Sequence, residues 1–138
     1  MTLLWALLWA LIPAGSSLLC NDCSSDSWDS CQITSCPVYS RACATFHQVQ
    51  NIYGNATSLF QRFCTNSKTC YESFSINNGY ESFRQASECC SSDLCNTGTP
   101  AVNLSTNGLV CCAGSVPNCQ TTVQCVGDEE YCFTTQSE

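Results

Sequence analysis

Fifteen of the chain's 138 residues are cysteine, and no other feature narrows the available folds as much. That share exceeds the level at which a short chain reads as a disulfide scaffold instead of a domain held by an apolar core. Whether such thiols pair with one another or hold metal depends on the compartment. Met1 to Ile12 is an uncharged, almost wholly apolar run, followed by Pro13, Ala14, Gly15, Ser16 and Ser17. A helix needs about 20 apolar residues to cross a bilayer, so this run is too short to span one. With small residues behind it, it reads as a secretory signal over residues 1–17. A secreted, extracellular chain matures in an oxidising compartment, which favours disulfides. The sequence holds a single histidine, His47, and a single Cys-x-x-Cys, at Cys20 and Cys23, so zinc is the poorer reading and no metal or other cofactor is expected. Fifteen is odd, so at least one thiol is left free or pairs with another molecule.

Charge narrows the partners. Eleven Asp and Glu oppose four dispersed basic residues, Arg41, Arg62, Lys68 and Arg84, for a formal net charge of −7. No basic stripe is available to neutralise a run of phosphates, which excludes nucleic acid and anionic membrane as expected partners. Two sequons, Asn55-Ala56-Thr57 and Asn103-Leu104-Ser105, fit glycosylation of Asn55 and Asn103 in the secretory pathway.

Ten cysteines, at 20, 23, 31, 36, 43, 64, 70, 89, 90 and 95, crowd one stretch, and none follows until Cys111. The gap, rich in turn formers and without charge, reads as a linker over residues 98–110. Five more cysteines follow at 111, 112, 119, 125 and 132. Successive spacings are 3, 8, 5 and 7 in the first cluster and 1, 7, 6 and 7 in the second, and both open on Leu-x-Cys (Leu18-Leu19-Cys20, Leu109-Val110-Cys111). The second cluster therefore reads as the first half of a repeated module.

Local patterns favour strands. Ala44 to Gln50 and Ser58 to Phe63 carry β-branched and aromatic residues on either side of the turn-rich segment 51–57, and read as a hairpin. Cys70 to Ile76 and Tyr80 to Cys89 flank Asn77-Asn78-Gly79, where Asn-Gly signals a two-residue turn. Beyond residue 17 no window keeps a 3.6-residue apolar period, so the expected fold is all-β, small and disulfide-rich.

The Leu18-x-Cys20-x-x-Cys23 opening, ten cysteines over 76 residues and the closing Cys89-Cys90-Ser91-Ser92-Asp93-Leu94-Cys95-Asn96 resemble the lymphocyte-antigen-six/urokinase-receptor family, whose three-finger (LU) fold is shared with snake toxins. The resemblance covers Leu18 to Asn96. It implies the pairs Cys20–Cys43, Cys23–Cys31, Cys36–Cys64, Cys70–Cys89 and Cys90–Cys95, which tie the bases of three loops together. It also implies a complete LU domain at residues 18–97 and an incomplete second one at 111–138. There the family pattern joins Cys111 to Cys132 and Cys112 to Cys119, leaving Cys125 free or intermolecular and the segment poorly ordered. The tandem arrangement is similar to two-domain members such as the gamma-type phospholipase inhibitors of serum and the multi-domain surface receptors. Two departures stand out. Cys111 and Cys112 are adjacent where the family has Cys-x-x-Cys, and the sequence stops before the family's later cysteines. The polar end, Phe133 to Glu138, carries no lipid-anchor signal.

Catalysis has thin support. His47 reads as a surface or half-buried strand histidine, and Asp128-Glu129-Glu130 as a solvated acidic turn. Secreted phospholipases carry Cys-Cys-x-x-His-Asp-x-Cys; here Asp93 stands at the histidine position and no glycine-rich calcium loop precedes it. No catalytic residue is therefore assigned. Hairpins on a rigid disulfide base present their tips at little ordering cost, so binding fits better. The candidate tips are Ser24 to Ser30 with Trp28, Asn51 to Thr57 with Ile52 and Tyr53, and Ile76 to Glu81 with Tyr80. A glycan on Asn55 would crowd the second tip and favour the first and third loops or the sheet face. Asp93 and Asn96 are expected to hold the C-terminal knot by hydrogen bonds. The expectation is a non-enzymatic, secreted module that binds an extracellular protein, as an inhibitor or decoy of, for example, a secreted phospholipase. The alternatives are a toxin-like modulator of a cell-surface receptor, a glycosylated defence factor that binds microbes and, last, a weak hydrolase.

Overall fold

Antiparallel strand pairing accounts for every regular element in a computed structural model of the chain, which describes residues 17–25, 31–66, 70, 73–113 and 119–134. The run read as a secretory signal, up to residue 16, and Trp28 lie outside the described residues. Among the described residues eight strands follow in order: β1 (Leu19–Ser25), β2 (Gln32–Ser35), β3 (Ala42–Ile52), β4 (Asn55–Thr65), β5 (Phe74–Asn77), β6 (Glu81–Cys90), β7 (Thr106–Cys112) and β8 (Thr122–Val126). Among the described residues there is no helix, so the fold is small, all-β and disulfide-rich. The first six strands form one sheet in the order β2-β1-β4-β3-β6-β5, and β7 and β8 form a separate two-stranded sheet. Strand β1 divides its edges, pairing with β2 through Leu19 to Asp22 and with β4 through Cys23 to Ser25.

Both expected hairpins form, with different turns. The first was expected to turn over seven residues, but β3 and β4 pair out to Ile52 opposite Asn55, leaving a two-residue turn at Tyr53-Gly54. Both turn residues take positive φ, 49° and 86°, the conformation that matches the twist of the flanking strands. Asn51 stabilises it by accepting the Gly54 N–H at 2.9 Å through Oδ1. The second turn also has two residues but is displaced by one from Asn78-Gly79: Asn77 pairs with Ser82 and the Asn78 N–H donates to the Glu81 carbonyl at 3.0 Å, leaving Gly79-Tyr80 at the tip, while Asn78 Oδ1 accepts the N–H groups of both Tyr80 and Glu81, at 2.9 and 2.7 Å. That pulls Tyr80 out of the ladder, and β6 starts at Glu81.

Sulfur takes the place that apolar side chains hold in larger domains. Cys20, Cys36 and Cys43 form the buried centre at the base of the sheet, with Leu18, Cys64, Cys90 and Cys95 packed against them. Burial follows from this: along β3 the residues Ala42 to Thr45 are buried, and exposure rises toward Ile52. Seven disulfides are present: Cys20–Cys43, Cys23–Cys31, Cys36–Cys64, Cys70–Cys89, Cys90–Cys95, Cys111–Cys132 and Cys112–Cys119. Such a bridge typically contributes about 2–4 kcal/mol by restricting the unfolded chain, which a module with so few buried apolar side chains requires.

The C-terminal knot closes on Asn96, which is 3% exposed. Its Nδ2 donates to the carbonyls of Asn21 and Ala44 at 2.9 and 3.1 Å, and its Oδ1 accepts the Asn21 N–H at 3.0 Å. Asp93 Oδ1 accepts the Leu19 N–H at 2.9 Å. One short segment thereby clasps β1 and β3, and both side chains act within the knot.

The stretch read as a linker packs on the sheet instead of spacing two units. Pro100 is among the most deeply buried side chains, and its carbonyl accepts from His47 Nδ1 at 3.0 Å. Arg62 donates to the carbonyls of Thr97 and Gly98 at 2.6 and 3.3 Å. The segment after it, expected to be poorly ordered, contains the β7–β8 hairpin, and β7 begins at Thr106 inside the expected linker.

Candidate functional site

Pairing of β3 with β6 places Ile52 opposite Glu81, so the Tyr53-Gly54 turn lies beside the turn that carries Tyr80. The Tyr53 N–H donates to the Tyr80 carbonyl at 3.0 Å, locking the two tips together. Their rings approach at 6.2 Å with a 50° tilt, a favourable inclined aromatic pair. Tyr53 remains 75% exposed and Tyr80 58%. Ile52 is exposed as well. Three of the four residues read as binding residues are thus joined in one patch.

A cleft of about 470 Å³ opens beside this pair, lined by Tyr53, Tyr80, Glu81 and Arg84 on one wall and by Val123, Gln124 and Val126 of β8 on the other. The β8 wall is held there by a group that sequence reading misjudged. Asp128-Glu129-Glu130 reads as a solvated acidic turn, yet Glu129 is 7% exposed while its two neighbours face solvent. Its Oε1 lies 3.2 Å from Arg84 Nη2 and accepts the Ser75 hydroxyl at 2.6 Å, and its Oε2 accepts the Val126 N–H at 2.9 Å. Asp128 accepts the Ser73 hydroxyl at 2.6 Å. The hairpin is therefore docked on β5 and β6 through one buried ion pair and a set of hydrogen bonds. Arg84 was legible only as one of four scattered basic residues, because its partner lies 45 positions away in sequence.

Close packing at the mouth of the cleft fixes the spacing. Gly79, with φ at +91°, has room for no side chain: a Cβ there would sit 2.6 Å from the Ala113 Cβ. Gly79→Ala combines that clash with an unfavourable backbone and is expected to cost about 1–3 kcal/mol. Amide exchange should show the loss in β7 and β8 before it appears in β3 and β4.

Other sequence candidates fall elsewhere. Asn55 and Asn103 are both exposed. Asn55 starts β4 beside the Tyr53-Gly54 turn, so a glycan there would flank the tyrosine pair. His47 stacks on Phe60 with ring centroids 4.5 Å apart, and its contact with Pro100 is structural. Cys20, Cys36 and Cys43 bring three sulfurs within metal-ligand reach, but all three are in disulfides and offer no thiolate. Cys125 is the free cysteine, and it is buried. Burial pushes its thiol above the ordinary range, and the Glu129 carboxylate adds to the shift. A 4% exposed thiol cannot meet a second molecule without rearrangement. No helix among the described residues is long and apolar enough to cross a membrane.

No protein-family model matches the chain, and no curated protein is significantly similar to it.

Proposed function

We propose that the chain is a secreted, glycosylated binding module of the lymphocyte-antigen-six/urokinase-receptor type, which recognises an extracellular protein through the Tyr53–Tyr80 patch and acts by occupancy instead of catalysis. The carrying observation is the pair itself: two exposed aromatic rings, locked by a backbone hydrogen bond, on adjacent tips of a disulfide-based sheet. Tyrosine is among the side chains that dominate interface energetics, and one held rigidly loses little freedom on contact. Seven disulfides in an all-β chain support a secreted protein. An inhibitor or decoy, of a secreted phospholipase for example, uses such a surface; a receptor modulator or a microbe-binding factor would use the same tips.

The test measures binding of the glycosylated protein to a panel of secreted phospholipases and to extracellular proteins captured from plasma or mucus. For a partner found there, Tyr53→Ala and Tyr80→Ala are each expected to weaken affinity by about 30-fold or more, the loss typical of an interface hot spot. Unchanged affinity in both variants, with all disulfides retained, would remove the patch from the reading.

A further inference from the structure

Register places a free thiol against a disulfide in the β7–β8 hairpin. Cys111 lies opposite Val123, and Cys125 follows two residues later on the same strand. Side chains alternate along a strand, so Cys125 projects from the same face as Val123 and Cys111. An irregularity in β7 between Thr106 and Val110, with Gly108 at φ 88°, pulls that strand out of simple register where Cys125 faces it. Asn107 holds the irregularity by donating to the carbonyls of Gly127 and Glu129, both at 3.1 Å. The outcome is a Cys125 Sγ only 3.5 Å from Cys111 Sγ, which is itself bonded to Cys132.

The three cysteines differ in access. Cys125 is 4% exposed, whereas Cys132 faces solvent between the exposed Tyr131 and Phe133. A reagent in solution therefore reaches the thiol of Cys125 poorly, and would reach that of Cys132 well if the disulfide released it.

We propose that Cys125, Cys111 and Cys132 form an exchange site, in which Cys125 displaces Cys132 from Cys111 and the released Cys132 is the position at which the chain takes up an extracellular low-molecular-weight disulfide. In the first step the Cys125 thiolate forms a new S–S bond to Cys111 Sγ, and the electron pair of the Cys111–Cys132 bond leaves on Cys132. The proton given up by Cys125 is balanced by the one Cys132 gains, so the chain is neither oxidised nor reduced. In the second step the Cys132 thiolate attacks the external disulfide, forming a mixed disulfide and expelling one thiol equivalent. Chain connectivity does not forbid either pairing. The two loops, 14 and 21 residues apart in sequence, differ in closure probability by roughly twofold.

Full-length protein incubated with glutathione disulfide under native conditions, then digested and mapped without reduction, tests this directly. The expected product carries one glutathionyl group on Cys132 and a Cys111–Cys125 bond. Glutathione found on Cys125 with Cys111–Cys132 intact, or no adduct on the native chain while the denatured chain accepts one, would overturn it. Cys125→Ser should abolish the adduct, and an adduct on Cys132 that persists in that variant would also count against the proposal. Cys132→Ser should isolate the product pairing, with Cys111 bonded to Cys125; two free thiols there would be a third contrary result.

Discussion

Asn96→Ala is expected to destabilise the protein by about 3 kcal/mol and to lower its melting temperature by more than about 10 °C with every disulfide intact. The side chain meets three backbone groups at once, the Asn21 N–H, the Asn21 carbonyl and the Ala44 carbonyl, in a position 3% exposed. Alanine leaves all three without that partner where water has little access, and each buried orphan costs about 1–3 kcal/mol. Asn96→Asp makes a sharper control: it keeps the acceptor but aims a second oxygen at two carbonyls, so it should be at least as damaging. Asp93→Ala removes one bond to the exposed Leu19 N–H and should cost about 1 kcal/mol. Thermal unfolding of the three variants under non-reducing conditions checks the order. An Asn96→Ala protein that melts with the parent would show that the disulfides alone fix the knot.

Glu129→Ala is expected to release the β7–β8 hairpin from the rest of the molecule. The substitution leaves the Arg84 guanidinium, whose side chain is 11% exposed, with Ser82 Oγ at 2.8 Å but without an anion. It also removes the acceptor for Ser75 and for the Val126 N–H. Breaking one side of a buried ion pair costs about 3–5 kcal/mol; at the lower end of that range, amide protection in β7 and β8 falls roughly a hundredfold. Strands β3 and β4, tied by Cys20–Cys43 and Cys36–Cys64, should keep theirs. Replacing both partners, as Arg84→Leu with Glu129→Leu, should recover part of the docking, because the main penalty is the unpaired charge and not the lost pair. Equal protection loss across both sheets in Glu129→Ala would mean that the hairpin and the six-stranded sheet unfold as one unit.

The hairpins were legible because their signals are local. Asn78-Gly79 and the aromatic and β-branched runs around it need only neighbouring residues to act, and strands do form on both sides. Turn details were less legible. Two-residue turns fall at Tyr53-Gly54, where a tyrosine accepts positive φ, and at Gly79-Tyr80, one position beyond the Asn-Gly pair, where the Asn78 side chain captures two N–H groups. The roles of Asp93 and Asn96 were readable from their place in a cysteine-dense close. Glu129 was misread because an acidic triplet in isolation looks solvated, and only a distant arginine makes burial tolerable.

By itself the sequence determined an all-β, disulfide-rich chain: cysteine density excludes an ordinary apolar core, and strand and turn propensities act over a few residues. Tertiary structure decided which residues became neighbours. Strand register set Tyr53 beside Tyr80, Glu129 beneath Arg84, and the Cys125 sulfur 3.5 Å from that of Cys111. The odd cysteine count announces a thiol left over, but its reach depends on which face of a strand it occupies and what lies across the ladder. That is fixed by pairing between segments far apart in the chain, and a shift of one residue would turn the same side chain to the opposite face.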